Sequence, residues 1–340
     1  MSNREAYAEA RLWEALPGGE ARCRLCAQYC RLAAGETGKC AARLNQGGTI
    51  LTRNTGKLAA INLDPVEKKP LFHFLPGSQT FSLGSLGCNF SCRFCQNSDI
   101  SQIDTRRTAG GQAATPAKLV EAASRAGARS LSYTYNEPTV FFELMEQCAR
   151  LAKTRGLRNI LVSNAYLSRE CFSALDGLVD AANFDLKSFS DAFYRDYCGG
   201  RLKPVLQTLK RTTRAGWWVE VTTLIISGIN DSQEELDQLA RFLVSELGPD
   251  LPWHVSRFRP AYLMQDHPPT ALDSLERALE AGYRHGLHYV YAGNLVGHER
   301  ESTYCPGCGA MLIPRRGYSV RSGFSGVCPH CGLAVPGVWG

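Results

Sequence analysis

The chain has 340 residues, 44% hydrophobic and 21% charged, with a formal net charge of +6. That is room for one large domain with small appendages around a closed core, and the mild, dispersed charge permits an acidic partner while leaving nucleic acid undecided. No window approaches the ~18 continuous apolar residues of a membrane span, and the opening "MSNREAYAEARLWEALPGGE" carries charges where a signal peptide needs an apolar run, so a cytoplasmic protein without membrane contact is expected. In that compartment fourteen cysteines are expected as metal ligands rather than disulfides.

The first group lies in "CRLCAQYCRLAAGETGKC", where Cys23, Cys26, Cys30 and Cys40 offer four thiolates. Four ligands suggest a closed site. Zinc is the first expectation and an auxiliary iron–sulfur cluster the alternative, because four cysteines suffice for either. The following "AARLNQGGTILTRNTGK" reads as a hairpin with Gly-Gly at its turn. Residues 1–76 are thus expected to form a small metal-stapled module plus connector. In the connector "LDPVEKKPLFHF", Asp64, Glu67, Lys68, Lys69 and His73 either line an entrance or form a solvated surface.

From 77 to 298 the chain alternates between two periodicities. Apolar runs in "TFSLGSLG", "RSLSYTY", "RNILVSN", "AANFDLKS", "WWVEVTTLII", "PWHVSRF" and "LHYVYAGN" predict buried parallel strands. Between them "TPAKLVEAASRAG", "PTVFFELMEQCARLAKTRG", "SQEELDQLARFLVSELG" and "TALDSLERALEAGYRHG" predict helices, with Thr115 and Ser232 at N-cap positions. The fold class is α/β: a partial or complete parallel (β/α) barrel, or an open doubly wound sheet. In either, chemistry gathers at the C-terminal ends of the strands.

"GCNFSCRFCQN" directly follows the first predicted strand and spaces Cys88, Cys92 and Cys95 as C-x3-C-x2-C. A structural zinc wants four thiolates and a disulfide two. Three on a tight loop can hold three irons of a [4Fe–4S] cluster and leave the fourth open to a substrate or cofactor. The competing reading is a zinc completed by a distant residue such as His73. Cys148, Cys171 and Cys198 stand alone and read as small buried hydrophobes. After residue 299, "CPGCG" and "CPHCG" supply Cys305, Cys308, Cys328 and Cys331 in two C-x2-C knuckles. Zinc is the default ion for this C-terminal module, 299–340, with iron of the rubredoxin kind using the same ligands.

C-x3-C-x2-C after the first strand of a β/α barrel, with Phe94 before its last cysteine, resembles the radical S-adenosylmethionine (SAM) superfamily. Together with "DPVEKKPLFHFLPGS", "YTYNEPTVFFE", "NFDLKSF", "TLIISGINDS", "WHVSRFRPAY", "YAGNLVGHE" and "TYCPGCGAMLIPRRGY", the chain resembles the AmmeMemoRadiSam-system radical SAM enzymes, relatives of pyruvate formate-lyase activating enzymes. The resemblance implies a barrel of the radical SAM type. It also implies that Cys88, Cys92 and Cys95 are catalytic, carrying a cluster whose open iron takes the amino and carboxylate groups of SAM. An external one-electron donor such as flavodoxin or ferredoxin then triggers cleavage to a 5′-deoxyadenosyl radical, which abstracts hydrogen from a protein, RNA or metabolite substrate.

The same resemblance assigns SAM contacts by position. Tyr135, Asn136 and Glu137 stand where the superfamily receives the SAM amino group, although the two glycines common there are absent and Glu137 reads equally as a helix-start carboxylate. Ser163 and Asn164 stand where relatives carry polar residues for ribose or cation contacts. Asp185 and Lys187 share one face of their strand; Lys187 is matched to the SAM carboxylate, with a mutual ion pair as the alternative. His254 resembles a histidine that approaches SAM. Memo-like and AmmeMemo-type proteins are the partners the family name implies. Two other functions compete: a glycyl-radical-enzyme activase, and a non-catalytic metal-bearing assembly scaffold.

Overall fold

The computed structural model describes residues 7–104, 111–321 and 323–340. At its centre lies an eight-stranded sheet whose strands follow one another in space as they do in the chain. They are β1 (Ala60–Pro65), β2 (Gln79–Gly84), β3 (Ser130–Tyr133), β4 (Arg158–Ser163), β5 (Ala181–Asp185), β6 (Trp218–Ile225), β7 (Trp253–Arg257) and β8 (Val290–Gly293). Strands β2 to β8 run parallel, and β1 lies antiparallel against β2. Among the described residues no pairing joins β8 to β1, so this is a partial barrel.

All seven runs read as strands form strands. The edge strand β1 has no apolar run to mark it, because "AINLDP" sets one buried residue, Asp64, among exposed and half-buried ones, whereas β3 is buried at every residue. The connections carry α1 (Pro116–Arg125), α2 (Phe142–Thr154), α3 (Arg169–Ala174), α4 (Leu202–Thr212), α5 (Gln233–Leu247) and α6 (Leu272–Arg284). Each long helix turns one apolar stripe to the sheet, such as Leu236, Leu239, Ala240 and Leu243 in α5. Thr115 and Ser232 do cap, accepting from the amides of Lys118 and Glu235. The Thr270 hydroxyl accepts from Phe258 N (2.7 Å) and donates to the Ile225 carbonyl (2.5 Å), and α6 begins after Ala271.

Smaller sheets flank the barrel. Arg43–Gln46 and Thr49–Thr52 form the expected hairpin, with Gly47 and Gly48 at φ 65° and 91°, the left-handed pair that a tight two-residue turn requires. Toward the other end, Thr303–Tyr304 pairs with Met311–Ile313 and Arg315–Arg316 with Ser319–Val320. No helix among the described residues is long and apolar enough to cross a membrane.

A buried polar network fastens the connector to the sheet. Glu220 on β6 accepts from the amides of Phe72 (2.9 Å) and His73 (2.7 Å), from Trp218 Nε1 (3.0 Å) and from His254 Nε2 (2.6 Å). Burial alone would push its carboxyl up; His254 and the other donors outweigh that and hold it below its ordinary value. His73 donates through Nδ1 to the Pro336 carbonyl (2.8 Å), which leaves Nε2 to accept from the Tyr291 hydroxyl (2.6 Å). Arg315 closes the network, donating to the Phe72 carbonyl (2.7 Å) with its guanidinium 4.3 Å from the Phe72 ring centre. Both nitrogens of His73 are thus occupied, so it completes no zinc site with the cysteine loop.

Two expectations follow. Glu220→Leu strands four buried donors and should cost about 3–5 kcal/mol in guanidinium unfolding, with Glu220→Gln losing less because it keeps an acceptor. Burial lowers His73 to about 4 from 6.5 in the folded chain, so between those values the unfolded chain binds more protons and stability falls as pH drops. His73→Gln should flatten that slope in urea titrations stepped from pH 6.5 to 4; an unchanged slope would contradict the assignment.

Candidate functional site

The three-cysteine loop leaves the C-terminal end of β2 and is held from three sides. Asn136, just past β3, accepts from the Ser85 amide (3.0 Å) and donates to the Gly87 carbonyl (2.8 Å), bracketing the entry to the loop. Behind α3 and β5, a turn at Tyr194–Cys198 lends two backbone acceptors: Ser91 N reaches the Cys198 carbonyl (2.8 Å) and Arg93 N the Tyr197 carbonyl (2.9 Å). Gly200 follows with no side chain, because a Cβ there would strike the Phe90 ring. From the N-terminal side Gln28 donates to the carbonyls of Asn89 (2.9 Å) and Gly199 (3.1 Å). Gly87 sits at φ 91°, and a Cβ on it would drive into the Cys40 carbonyl.

The thiols fit a thiolate-bound cluster. Cys88 and Cys95 are half-buried and Cys92 is buried. Burial and the neighbouring Cys92 push Cys88 well up, and burial with Cys92 raises Cys95. Cys92 is lowered instead, chiefly by a hydrogen bond from the Cys198 thiol. The Phe90 amide donates to Cys88 Sγ at 3.4 Å and Asn164 Nδ2 approaches it at 3.9 Å. These are the amide–sulfur contacts that support a bound cluster.

The other predicted residues divide. Asp185 and Lys187 come together as an ion pair (2.8 Å), with the ammonium 5.8 Å from the Phe94 ring centre. Burial lowers Lys187, but Asp185, Cys92 and Cys198 more than reverse this and raise it well above its usual value. Phe94 is buried beside Phe193. Glu137 is buried and committed: it accepts from Ser163 Oγ (3.0 Å), Asn164 N (3.0 Å) and Thr139 N (3.2 Å), capping the turn Pro138–Phe141 and joining the ends of β3 and β4. Its carboxylate therefore holds strand ends, and Ser163 and Asn164 are its partners. Tyr135, at φ 69°, turns its hydroxyl to Asp64 (2.5 Å), which also binds Lys68 (2.9 Å) and Lys69 (2.7 Å). His254 belongs to the Glu220 network, packed on Phe72 and Tyr291, and is not brought to the cysteine loop.

Cys198 reads in sequence as an ordinary core residue, yet its thiol lies near enough to Cys92 to lower it. Its signal was the Gly-Gly that follows it, since "YCGG" gives the chain room to lie against the loop. The four C-terminal thiols bring their sulfurs within 4.8 Å of one another, with Cys305 and Cys331 3.6 Å apart and Cys308 and Cys328 3.7 Å apart. A single tetrahedral ion with metal–sulfur bonds of about 2.3 Å needs an edge of about 3.8 Å. They form a metal site.

A family model described as the Radical SAM superfamily matches residues 83–243. Uncharacterized protein MJ0808 of Methanocaldococcus jannaschii is 43% identical over 307 residues, covering 90% of this chain and 91% of that one. A GTP 3′,8-cyclase of Pseudomonas entomophila is 28% identical over 164 residues, 46% of this chain and 47% of the other. Among solved structures, a domain of pyruvate-formate lyase-activating enzyme from Bacteroides vulgatus superposes with a TM-score of 0.42 at 15% identity, over 48% of this chain and 99% of that domain.

Gly87→Ala should displace the loop and cost about 1–3 kcal/mol, with iron uptake on anaerobic reconstitution falling in step. Gly127→Ala is the control, because that glycine has a positive φ of 68° but nothing within 4 Å of an added Cβ. It should load iron like the parent chain. Equal loading by both variants would show that the contact with Cys40 does not matter.

Proposed function

Because the chain belongs to the radical SAM superfamily, we propose that Cys88, Cys92 and Cys95 hold three irons of a [4Fe–4S] cluster, that SAM takes the fourth, and that the enzyme removes hydrogen from a substrate. The observation that carries this reading is the trio of thiols on one clasped loop at a strand end, with Asp185 and Lys187 beside it. Bound there, cluster and SAM supply one-electron cleavage of a carbon–sulfur bond and a carbon radical able to take hydrogen. The protein's own task is to bind, orient and exclude water.

Asp185 and Lys187 suit a zwitterion. Their mutual pair can open so that the carboxylate meets an ammonium and the ammonium a carboxylate, with no unpaired charge left in a buried place. Phe94 and Phe193 keep water from the loop. Glu137, Ser163, Asn164 and Asn136 are positioning residues that fix the strand ends around it. Cys198, a neighbour of Cys92, favours the thiolate form of that ligand. In place of the assigned Glu137 side chain, backbone carbonyls near Tyr135 are the acceptors we propose for the SAM amino group, because the Glu137 carboxylate is already used.

The motif runs in their order favour the AmmeMemoRadiSam branch, and with it Memo-like and AmmeMemo-type partners, a flavodoxin or ferredoxin donor and a cytoplasmic setting. Zinc is our reading of the C-terminal ion. The same reading divides the chain into units 1–76, 77–298 and 299–340, with the connector of the first lending β1 to the sheet of the second.

Anaerobically reconstituted protein given SAM and a reductant should release 5′-deoxyadenosine and methionine, and Cys92→Ala should abolish both. Lys187→Met should raise the SAM concentration for half-maximal release by about tenfold, the loss of one charge-assisted hydrogen bond. Cluster-loaded parent protein that releases neither product would refute the enzyme reading in favour of a scaffold. A glycyl radical appearing on a co-expressed partner would move it to an activase.

A further inference from the structure

The four N-terminal cysteines line one cavity, together with Arg43, Asn89, Gln28 and Lys39. Three observations say what that cavity takes. The first is spacing. The C-terminal sulfurs crowd within 4.8 Å, while no other group of three or more His, Cys, Asp or Glu does so among the described residues. Cys23, Cys26, Cys30 and Cys40 therefore stand apart as Cys88, Cys92 and Cys95 do, and unlike a set drawn around a single ion. A cubane spreads its thiolates over its corners, whereas a tetrahedral ion pulls them together.

The second observation is two stranded donors on the cavity wall. Arg43 is 1% exposed and gives both terminal nitrogens to Glu143 (2.7 and 3.1 Å), yet its Nε is buried without a partner. Asn89 is 1% exposed; its Oδ1 accepts from Asn164 (2.7 Å), yet its Nδ2 is buried without a partner. Buried N–H groups of this kind are destabilising unless an acceptor meets them. Thiols are weak acceptors; thiolates and bridging sulfides of a cluster are good ones.

The third is charge. No His, Asp or Glu lines the cavity, Arg43 already has its charge met by Glu143, and Lys39 is the further cation on the wall that suits an anionic group. We propose that Cys23, Cys26, Cys30 and Cys40 ligate a second iron–sulfur cluster, a four-cysteine cubane closed to substrate, with Arg43 and Asn89 donating to its sulfurs. Asn89 is the next residue after Cys88, and Cys40 packs on Gly87, so this cluster adjoins the loop of the first.

The full chain carrying Cys88→Ala, Cys92→Ala and Cys95→Ala separates this site from the first. Reconstituted anaerobically, it should hold about four irons and about four acid-labile sulfides per chain, and the parent chain about twice that. Sulfide distinguishes a cluster from a lone iron at the C-terminal site. A triple variant without sulfide that takes up a second zinc would overturn the proposal. Should that variant fail to fold, spin resonance of the reduced parent chain decides. Two cubane signals are expected, one altered by added SAM and one indifferent to it, the latter lost in Cys23→Ala. A single signal, wholly sensitive to SAM, would overturn it. Two signals both indifferent to SAM would uphold this cluster while defeating the assignment of SAM to the first.

Discussion

A loop rich in thiols has little reason to keep one shape, and here its shape rests on the amide side chain of Asn136. That group pairs with the Ser85 N–H and the Gly87 carbonyl on either side of Leu86, acting as a third strand for a segment whose own strand has ended. Two neighbours complete the restraint: the Cys40 backbone, possible only because Gly87 lacks a side chain, and the carbonyls of Tyr197 and Cys198. Each restraint comes from a different stretch of chain, so the loop is fixed only when the barrel and the N-terminal segment are both in place. Local sequence supplies the ligands; tertiary structure supplies their positions.

The barrel was legible because buried parallel strands are nearly continuous apolar runs and their helices carry one clean stripe. What misled was polarity inside the molecule. His254 lies on a strand whose alternation points it inward, and alternation cannot say whether the inward partner is a ligand or another side chain. The partner is Glu220, two residues from the register mate of His254 on the neighbouring strand. Nothing local marks that pair. Glu137 was ambiguous for the same reason, since a carboxylate before a proline reads as a cap or as an acceptor for a ligand, and here the cap and the strand-end bridge take both oxygens. Asp185 and Lys187 did meet on one face as strand geometry requires.

The cysteines show how far spacing in sequence can go. C-x2-C twice over fixed the C-terminal set, because each knuckle dictates its own turn and two knuckles fill a tetrahedron. The N-terminal set, with nine residues between Cys30 and Cys40, carries no such rule. Its character lies in the cavity wall, in a guanidinium and an amide drawn from a hairpin strand and from the radical SAM loop. Cys198 makes the converse point: no motif contains it, yet it lies against a ligand sulfur.

The C-terminal segment also closes the connector. Val338 exchanges backbone hydrogen bonds with His73 and Leu75, both 2.7 Å, and the Pro336 carbonyl accepts from His73 Nδ1. During synthesis these groups wait, since their partners emerge from the ribosome more than 260 residues later, long after the strands they flank. Until then the backbone groups of His73 and Leu75 and the His73 ring lack these partners, and a nascent chain paused before Val338 is a nearly complete barrel with an unsealed seam.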